Sequence, residues 1–111
     1  MFKPKNDRYR KARGGKFKFL EIHCSNCEGV VLVYQKDGDG ALIRCYLNRI
    51  FAPAEYEKLQ WFAGIPIKKI PNLVCSHCAN IIGIPMIHLD GRYAFRLKSG
   101  TYKKQVLKKE V

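Results

Sequence analysis

The sequence predicts a mostly β fold in one domain, and three observations support this prediction. Apolar and polar residues alternate from Phe17 into the first cysteine pair, as in a strand with one buried face. Two apolar runs contain glycine-rich turn sequences, at 36–40 and 90–91. Two CxxC pairs supply four thiols, enough to hold a small domain around one metal ion. We therefore expect a metal-bound β domain over 17–102.

Two hairpins account for most of the predicted strands. Residues 30–35 are β-branched and aromatic, and residues 41–47 alternate after the turn sequence at 36–40, which predicts a first hairpin. Residues 81–89 and 92–98 flank Asp-Gly, the strongest short-range turn signal, and predict a second hairpin.

One helix and one further strand complete the prediction. A short helix is predicted at 54–62, because Pro53 is tolerated in the first turn of a helix. Three apolar residues would share one face of it: Tyr56, Leu59 and Phe62. A last short strand is expected around 102–107.

The positive charge of the chain lies at its two ends. The net charge is +12, of which +7 falls in the first 18 residues and +3 in the last nine. Residues 1–16 lack apolar periodicity and contain Pro4 and two consecutive glycines, so we expect a flexible basic arm. Residues 103–111 are expected to form a basic C-terminal tail.

The cysteines indicate a structural zinc site. Cys24 and Cys27 form one CxxC pair, and Cys75 and Cys78 form another, with 47 residues between the two pairs. Two intervening residues let both sulfurs of a tight turn face one centre, and two such turns complete the tetrahedron that zinc prefers. Four thiolates leave no open position for water, so we expect one structural Zn²⁺ and no chemistry at the metal.

Other interpretations of these residues are weaker. A thioredoxin-like dithiol needs one CxxC pair that opens a helix, two disulfides would suit a secreted chain, and an iron–sulfur cluster fits only by ligand type. His23 and His77 lie beside or inside the CxxC pairs and are interpreted as bystanders or as donors to the ligands. Cys45 falls on an apolar strand face, where a free cysteine behaves as a small hydrophobe.

The run 73–83, followed by Leu-Asp-Gly-Arg-Tyr-Ala at 89–94, resembles the methionine-R-sulfoxide reductases. The similarity lies in the separation of the CxxC pairs, in a glycine five residues after the last cysteine, and in the strand after it. These reductases share the β-tent fold with Yippee-like proteins and the ligand-binding domain of cereblon. The resemblance implies two antiparallel sheets joined at their apex by zinc. The chain also resembles small bacterial zinc proteins, a likeness that implies no activity.

The resemblance also argues against reductase activity. The position that corresponds to the reductase nucleophile is Ala94, and alanine cannot attack a sulfoxide. Asp37 and Asp39 lie in a glycine turn, which explains them, and we find no paired carboxylates in a catalytic context. We also find no nucleophile beside a base and no phosphate-binding glycine loop, so we expect no enzyme. A β-tent adaptor for an anionic small ligand or an acidic peptide is the alternative function. Its cationic face would consist of Arg92, Arg96 and Lys98.

The basic ends favour binding to nucleic acid. Lysine and arginine side chains on phosphates release counterions, which gives sequence-independent and salt-sensitive affinity. Small zinc proteins with basic arms are familiar among ribosome-associated proteins, so RNA is favoured over DNA as the partner. A protein partner is the other candidate. The candidate nucleic-acid-binding residues are Lys3, Lys5, Arg8, Tyr9, Arg10, Lys11, Arg13, Lys16 and Lys18.

The cysteines and the hydropathy predict a cytoplasmic protein without a membrane partner. Paired thiols persist as metal ligands in a reducing compartment. No run of residues approaches the roughly 20 apolar residues of a membrane helix, and the N-terminus is charged, unlike a secretory signal.

Overall fold

The structure is a computed structural model that describes residues 2–62 and 64–107. It contains eight strands, which confirms the mostly β prediction. In chain order they are β1 Phe17–Cys24, β2 Val30–Asp37, β3 Arg44–Tyr46, β4 Ile50–Ala52, β5 Leu73–Val74, β6 Ile81–Ile87, β7 Tyr93–Leu97 and β8 Tyr102–Val106. They form two antiparallel four-stranded sheets with the orders β4-β2-β1-β8 and β3-β7-β6-β5.

The first strand and the second hairpin are confirmed. The strand β1 buries Leu20, Ile22 and Cys24 on alternate positions, as its sequence pattern predicts. Strands β6 and β7 pair in register from Gly83 opposite Leu97 to Ile87 opposite Tyr93. The turn between them is closed by a backbone hydrogen bond from the His88 N–H to the Arg92 oxygen.

The first predicted hairpin is wrong, because β2 and β3 belong to different sheets. The strand β2 pairs with β1 and with β4, whereas β3 pairs with β7, where Tyr46 lies opposite Ala94. Residues 38–43 therefore cross from one sheet to the other. Turn residues permit a change of direction, but they do not select the strand with which the next segment pairs.

Five short helical segments lie within the described ranges, one before β1 and four between strands. They are α1 Arg8–Ala12, α2 Ala54–Glu57 and three 3-10 helices at Leu47–Arg49, Lys58–Phe62 and Ile67–Lys69. The helix predicted at 54–62 is therefore present as α2 and the 3-10 turn that follows it. Tyr56 and Leu59 are buried as expected, whereas the side chain of Phe62 lies outside the described residues. None of the helices in the described ranges has the length and apolar character needed to cross a bilayer.

The predicted N-terminal arm is instead packed on the domain. Phe2 contacts Phe19 and Phe51, with ring centroids 6.0 and 5.6 Å away. The buried amide of Gln35 accepts from the Lys5 N–H at 2.7 Å and donates to the Lys5 carbonyl at 2.9 Å. For residues 2–16 the structure differs from the flexible arm expected over 1–16, because this segment finds aromatic and polar partners on the domain. Residue 1 lies outside the described residues. We call residues 2–16 the docked segment.

The predicted C-terminal tail also begins inside a strand. The strand β8 pairs with β1 from Tyr102 opposite Cys24 to Val106 opposite Leu20, so the domain extends beyond 102. Lys103 and Lys104 are exposed on this edge strand. The rest of the predicted tail, 108–111, lies outside the described residues.

The core lies between the two sheets. Leu20, Ile22 and Leu32 from the first sheet and Ile82 and Phe95 from the second are all at most 2% exposed. One side chain links α2 to this core: Tyr56 stacks edge-on against Phe95, and its hydroxyl exchanges hydrogen bonds with the Val74 backbone. Cys45 is fully buried in the same core, as its strand pattern predicts.

Candidate metal centre

The two CxxC pairs occupy equivalent places in the two sheets. The first begins at Cys24, the last residue of β1, and leads toward β2, and the second lies in the connection that leads from β5 to β6. Each pair is therefore a turn between two adjacent antiparallel strands of its own sheet. A metal bound by both turns would join the two sheets.

The two turns have the same backbone geometry. In the first, the Cys24 N–H donates to the Gly29 carbonyl at 2.8 Å and the Glu28 N–H donates to the Cys24 carbonyl at 2.8 Å. In the second, the Cys75 N–H donates to the Asn80 carbonyl at 2.9 Å and the Ala79 N–H to the Cys75 carbonyl at 2.8 Å. The residue after each second cysteine has a left-handed φ, 64° at Glu28 and 63° at Ala79, which non-glycine residues rarely adopt. This repeated geometry turns both sulfurs of each pair toward one point.

The four thiols converge on one centre. Their sulfurs all lie within 4.8 Å of one another, with Cys24 to Cys78 at 3.6 Å and Cys27 to Cys75 at 3.5 Å. A tetrahedral ion with bonds of about 2.3 Å places its sulfurs about 3.8 Å apart, which the observed spacing approaches. All four cysteines are free, because a disulfide would need a separation of about 2.05 Å. The structure thus supports a metal site at these residues.

N–H groups surround the sulfurs. The Asn26 backbone N–H points at Cys24 Sγ at 3.4 Å, and the side-chain amides of Asn26 and Asn80 reach Cys78 Sγ and Cys24 Sγ at 3.6 and 3.7 Å. Such donors stabilise thiolates and orient them, as the partners of metal ligands commonly do.

The ionisation of the thiols is strongly coupled. The Cys27 backbone N–H, followed by the Asn26 and Asn80 donors, lowers the pKa of Cys24 to about 6. At Cys27 the Gly29 N–H acts to lower the pKa, but the neighbouring Cys75 thiol and desolvation raise it to about 12. Four clustered sulfurs resist ionising together, and a bound cation supplies the charge that lets them do so.

The two histidines near the centre have other contacts. His23 Nε2 lies 2.8 Å from a Glu21 carboxylate oxygen, and its Nδ1 lies 3.3 Å from the Glu28 carbonyl. The His77 ring packs so closely on Gly29 that a Cβ there would lie 2.3 Å from its Cδ2. In the part of the chain that the structure describes, the ligand group consists of the four cysteines.

The predicted nucleic-acid-binding residues fall into two groups. Three of them make contacts within the protein. Lys5 Nζ binds Gln60, Arg10 stacks on Phe17 at 4.3 Å, and Tyr9 lies between the Arg8 and Arg92 guanidinium groups. The other six are exposed on the docked segment or at the start of β1: Lys3, Arg8, Lys11, Arg13, Lys16 and Lys18. Two of these six also have a partner, because Arg8 donates to the Tyr9 hydroxyl and Lys16 pairs with Asp39.

The residues of the predicted ligand face differ in their surroundings. Arg92 stacks between the rings of Tyr9 and Tyr46, at 3.7 and 3.6 Å, and its Nε binds Asp90 at 3.0 Å. Arg96 and Lys98 are exposed. Ala94, where the resemblance places the reductase nucleophile, is 1% exposed in the middle of β7.

Sequence reasoning missed a buried arginine that anchors the docked segment. Arg49 is fully buried; its Nη1 and Nη2 donate to the two Asp7 oxygens at 3.0 and 2.6 Å, and its Nε donates to Asp37 at 2.8 Å. Asp7 also caps α1 by accepting from the Tyr9 and Arg10 N–H groups. We call Arg49, Asp7 and Asp37 the Arg49 hub. Nothing in the local sequence signals that this arginine is buried.

No protein-family model, curated protein or solved structure matches this chain. The resemblance to β-tent proteins therefore stays a prediction. The structure itself shows a β domain of two sheets, which meet at a candidate metal centre of four cysteines.

Proposed function

We propose that the protein is a zinc-stabilised, non-catalytic module that binds RNA through its docked segment and β8. One observation carries the proposal. The docked segment and the adjoining strands present exposed cations that have no carboxylate within 4 Å among the described residues. They are Lys3, Arg8, Lys11, Arg13, Lys18, Lys103 and Lys104.

The choice of zinc follows from the ligand set. Four thiolates at tetrahedral spacing suit zinc, and the closed coordination shell suits a structural role. Thiols that must stay reduced to bind metal are consistent with a cytoplasmic protein. Metal analysis of the purified chain should give one zinc per chain and no iron or acid-labile sulfide.

The packing of the docked segment matters for RNA binding. An unstructured arm loses conformational entropy when it binds, whereas cations on a packed segment are already positioned. The segment is held by Phe2 against β1 and β4, by Gln35 in β2, and by Asp7 in the Arg49 hub. Its exposed lysines and arginines therefore form a fixed cationic surface.

The short helices favour RNA over sequence-specific DNA. A protein commonly reads the DNA major groove with an inserted helix or two-stranded ribbon. Here α1 has five residues and α2 has four, and α1 is packed against the domain. A cationic surface that tracks phosphates without reading base pairs fits structured or single-stranded RNA.

The test is a binding titration at two salt concentrations with a structured RNA and a DNA duplex of the same length. The key variant replaces Lys3, Lys11 and Lys18, three of these unpaired cations, together with glutamine. Because each lost phosphate contact removes roughly 0.7–0.9 from the slope of log affinity against log salt, we expect the slope to fall by about two. Point variants are preferable to deletion of the segment, which would also remove Asp7 from Arg49.

The matched control replaces three exposed lysines outside this surface, Lys58, Lys68 and Lys69, with glutamine. Both variants lose three charges, so an effect of net charge alone would weaken binding equally in both. Equal losses, or no measurable affinity of the wild-type chain for either nucleic acid, would contradict the proposal.

A further inference from the structure

A cavity of about 270 Å³ opens beside the docked segment. It lies between α1, the end of β2, the crossing residues 38–43 and the edge strand β3. The residues that matter for its chemistry are Tyr9, Arg13, Tyr34, Lys36, Arg44 and Arg92. With Tyr46, which also lines it, the cavity combines four cationic side chains with three tyrosines.

The protein balances only part of the positive charge in this cavity. Arg92 is paired with Asp90, whereas Arg13, Lys36 and Arg44 have no carboxylate within 4 Å among the described residues. Asp37 is the carboxylate among its lining residues, and its Oδ2 is engaged by Arg49 at 2.8 Å. Lys36 is only 7% exposed, and desolvation together with the nearby Lys18 and Lys104 lowers its pKa. A buried ammonium among like charges is costly unless something else supplies negative charge.

Two buried donors at the cavity lack an acceptor. Tyr34 is 3% exposed; its hydroxyl accepts from the Tyr46 N–H at 3.0 Å, and its own proton has no acceptor among the described residues. The Arg92 Nη1 is buried and also has no hydrogen-bond partner there. Buried donors without partners are rare in folded proteins, and they call for a missing acceptor. An oxyanion in the cavity would supply it.

We propose that this cavity binds a terminal phosphate monoester, carried by an RNA end or by a free nucleotide. A phosphate monoester carries a charge of about −1.5 to −2 at pH 7 and three acceptor oxygens, which matches several cations and unpartnered donors. An internal phosphodiester carries only one charge, and its chain must leave on both sides. The cavity is slightly smaller than the roughly 300–1,000 Å³ of ordinary ligand pockets, which suits one phosphate with one sugar.

If the phosphate belongs to an RNA, the cavity determines which part of that RNA the module recognises. This version of the proposal rests on the proposed function. It does not require sequence readout. The exposed cations of the docked segment would bind the following phosphates, and the cavity would select the end of the strand.

The test compares single-stranded RNA decamers of one sequence that carry a 5′-phosphate, a 3′-phosphate or hydroxyls at both ends. Adenosine monophosphate and inorganic phosphate serve as the small probes, with chloride at equal ionic strength as the blank. We expect one phosphorylated end to bind about tenfold more tightly than the hydroxyl form, because a charged hydrogen-bond set is gained. Phosphate and the nucleotide should raise the melting temperature.

Lys36→Met and Arg44→Gln should abolish the preference for the phosphorylated end. Lys36→Met keeps the apolar stem and removes a desolvated charge, so the fold should tolerate it. Lys11→Met is the matched control, because it removes one exposed charge of α1 that does not line the cavity, and it should keep the preference.

The outcomes separate this inference from the proposed function. Equal affinity for all three decamers, with salt-sensitive binding retained and no effect of the small probes, overturns the inference alone. Stabilisation by the nucleotide or phosphate, lost in Lys36→Met and without RNA binding, supports the inference and overturns the proposed function. Absence of binding to every probe overturns both.

Discussion

The cysteine centre and the Arg49 hub both join parts of the chain that are far apart in sequence, but by different chemistry. The centre connects the turns at Cys24 and Cys75, one from each sheet, through four soft ligands that favour a metal. The hub connects the partly exposed Asp7 to the buried Arg49 through an ion pair, whose attraction is largely offset by the desolvation of the arginine. From this comparison we expect the first link to determine whether the domain folds, and the second to determine where the N-terminal segment lies.

The largest expected effect comes from removing one thiol of the centre. Zinc binding to four-ligand sites contributes about 10–16 kcal/mol in model peptides, comparable to the whole stability of a domain, about 5–15 kcal/mol. Cys75→Ser should therefore lose the metal and cooperative thermal unfolding, measured by metal analysis and circular dichroism. Cys45→Ser is the control, since this buried cysteine lies outside the centre, and it should cost a few kcal/mol at most. A Cys75→Ser variant that melts like the wild type would mean that the metal is not structural.

Breaking the hub should have the next largest effect. Arg49→Met leaves Asp37, whose side chain is 9% exposed, without its cation, and removal of one partner of a buried pair costs about 3–5 kcal/mol. We expect the free energy of unfolding, measured in urea, to fall by that amount, and we expect faster proteolysis within the docked segment. Lys69→Met, at an exposed site, should change the free energy of unfolding by less than about 0.5 kcal/mol. Unchanged stability and unchanged proteolysis of Arg49→Met would show that the hub does not anchor the segment.

A smaller effect is expected near the second cysteine turn. Gly83 in β6 lies between Leu73 and Leu97, and a Cβ there would be 3.1 Å from Phe95 Cβ and 3.2 Å from the Arg96 oxygen. Gly83→Ala should cost about 1–3 kcal/mol in urea unfolding, because the strands must move apart.

The control for that variant is Gly40→Ala, where a Cβ would meet nothing within 4 Å. Its free energy of unfolding should stay close to that of the wild type. If both alanine variants unfold alike, the close approach at β6 does not constrain the sheet.

The smallest effect concerns the Asp7 carboxylate. The hydrogen bond from Arg49 is the main cause that holds the pKa of Asp7 at about 2. Because the pKa of Asp7 is lower in the folded than in the unfolded chain, the ionised carboxylate stabilises the fold fully at pH values above the unfolded pKa near 4. This stabilisation is lost as the pH falls toward 2. Asp7→Asn keeps the helix cap and should cost less than about 1 kcal/mol, since the side chain is 39% exposed.

The pH series sharpens this prediction. The stability difference between the wild type and Asp7→Asn should stay constant from pH 7 to pH 5 and begin to shrink at pH 4, measured by urea unfolding with the metal content monitored. A difference that disappears between pH 7 and pH 5 would contradict a depressed pKa.

Local patterns were predicted well from the sequence, and long-range choices were not. The strand before Cys24, the β6–β7 hairpin and the convergence of the four cysteines follow from alternation, an Asp-Gly turn and CxxC spacing. The pairing of β3 with β7 was missed, because the turn sequence at 36–40 suits a hairpin as well as a crossing. The cavity at Lys36 was also missed, since its lining residues come from separate segments.

The sequence by itself determined the strand-forming segments and the ligand set, because polarity alternation and ligand spacing act over a few residues. Only the tertiary structure decided that Arg49 is buried and that residues 2–16 are packed, because the partners of these groups lie tens of residues away. Burial of a charge depends on whether an opposite charge arrives at the same place, and that is a property of the folded chain.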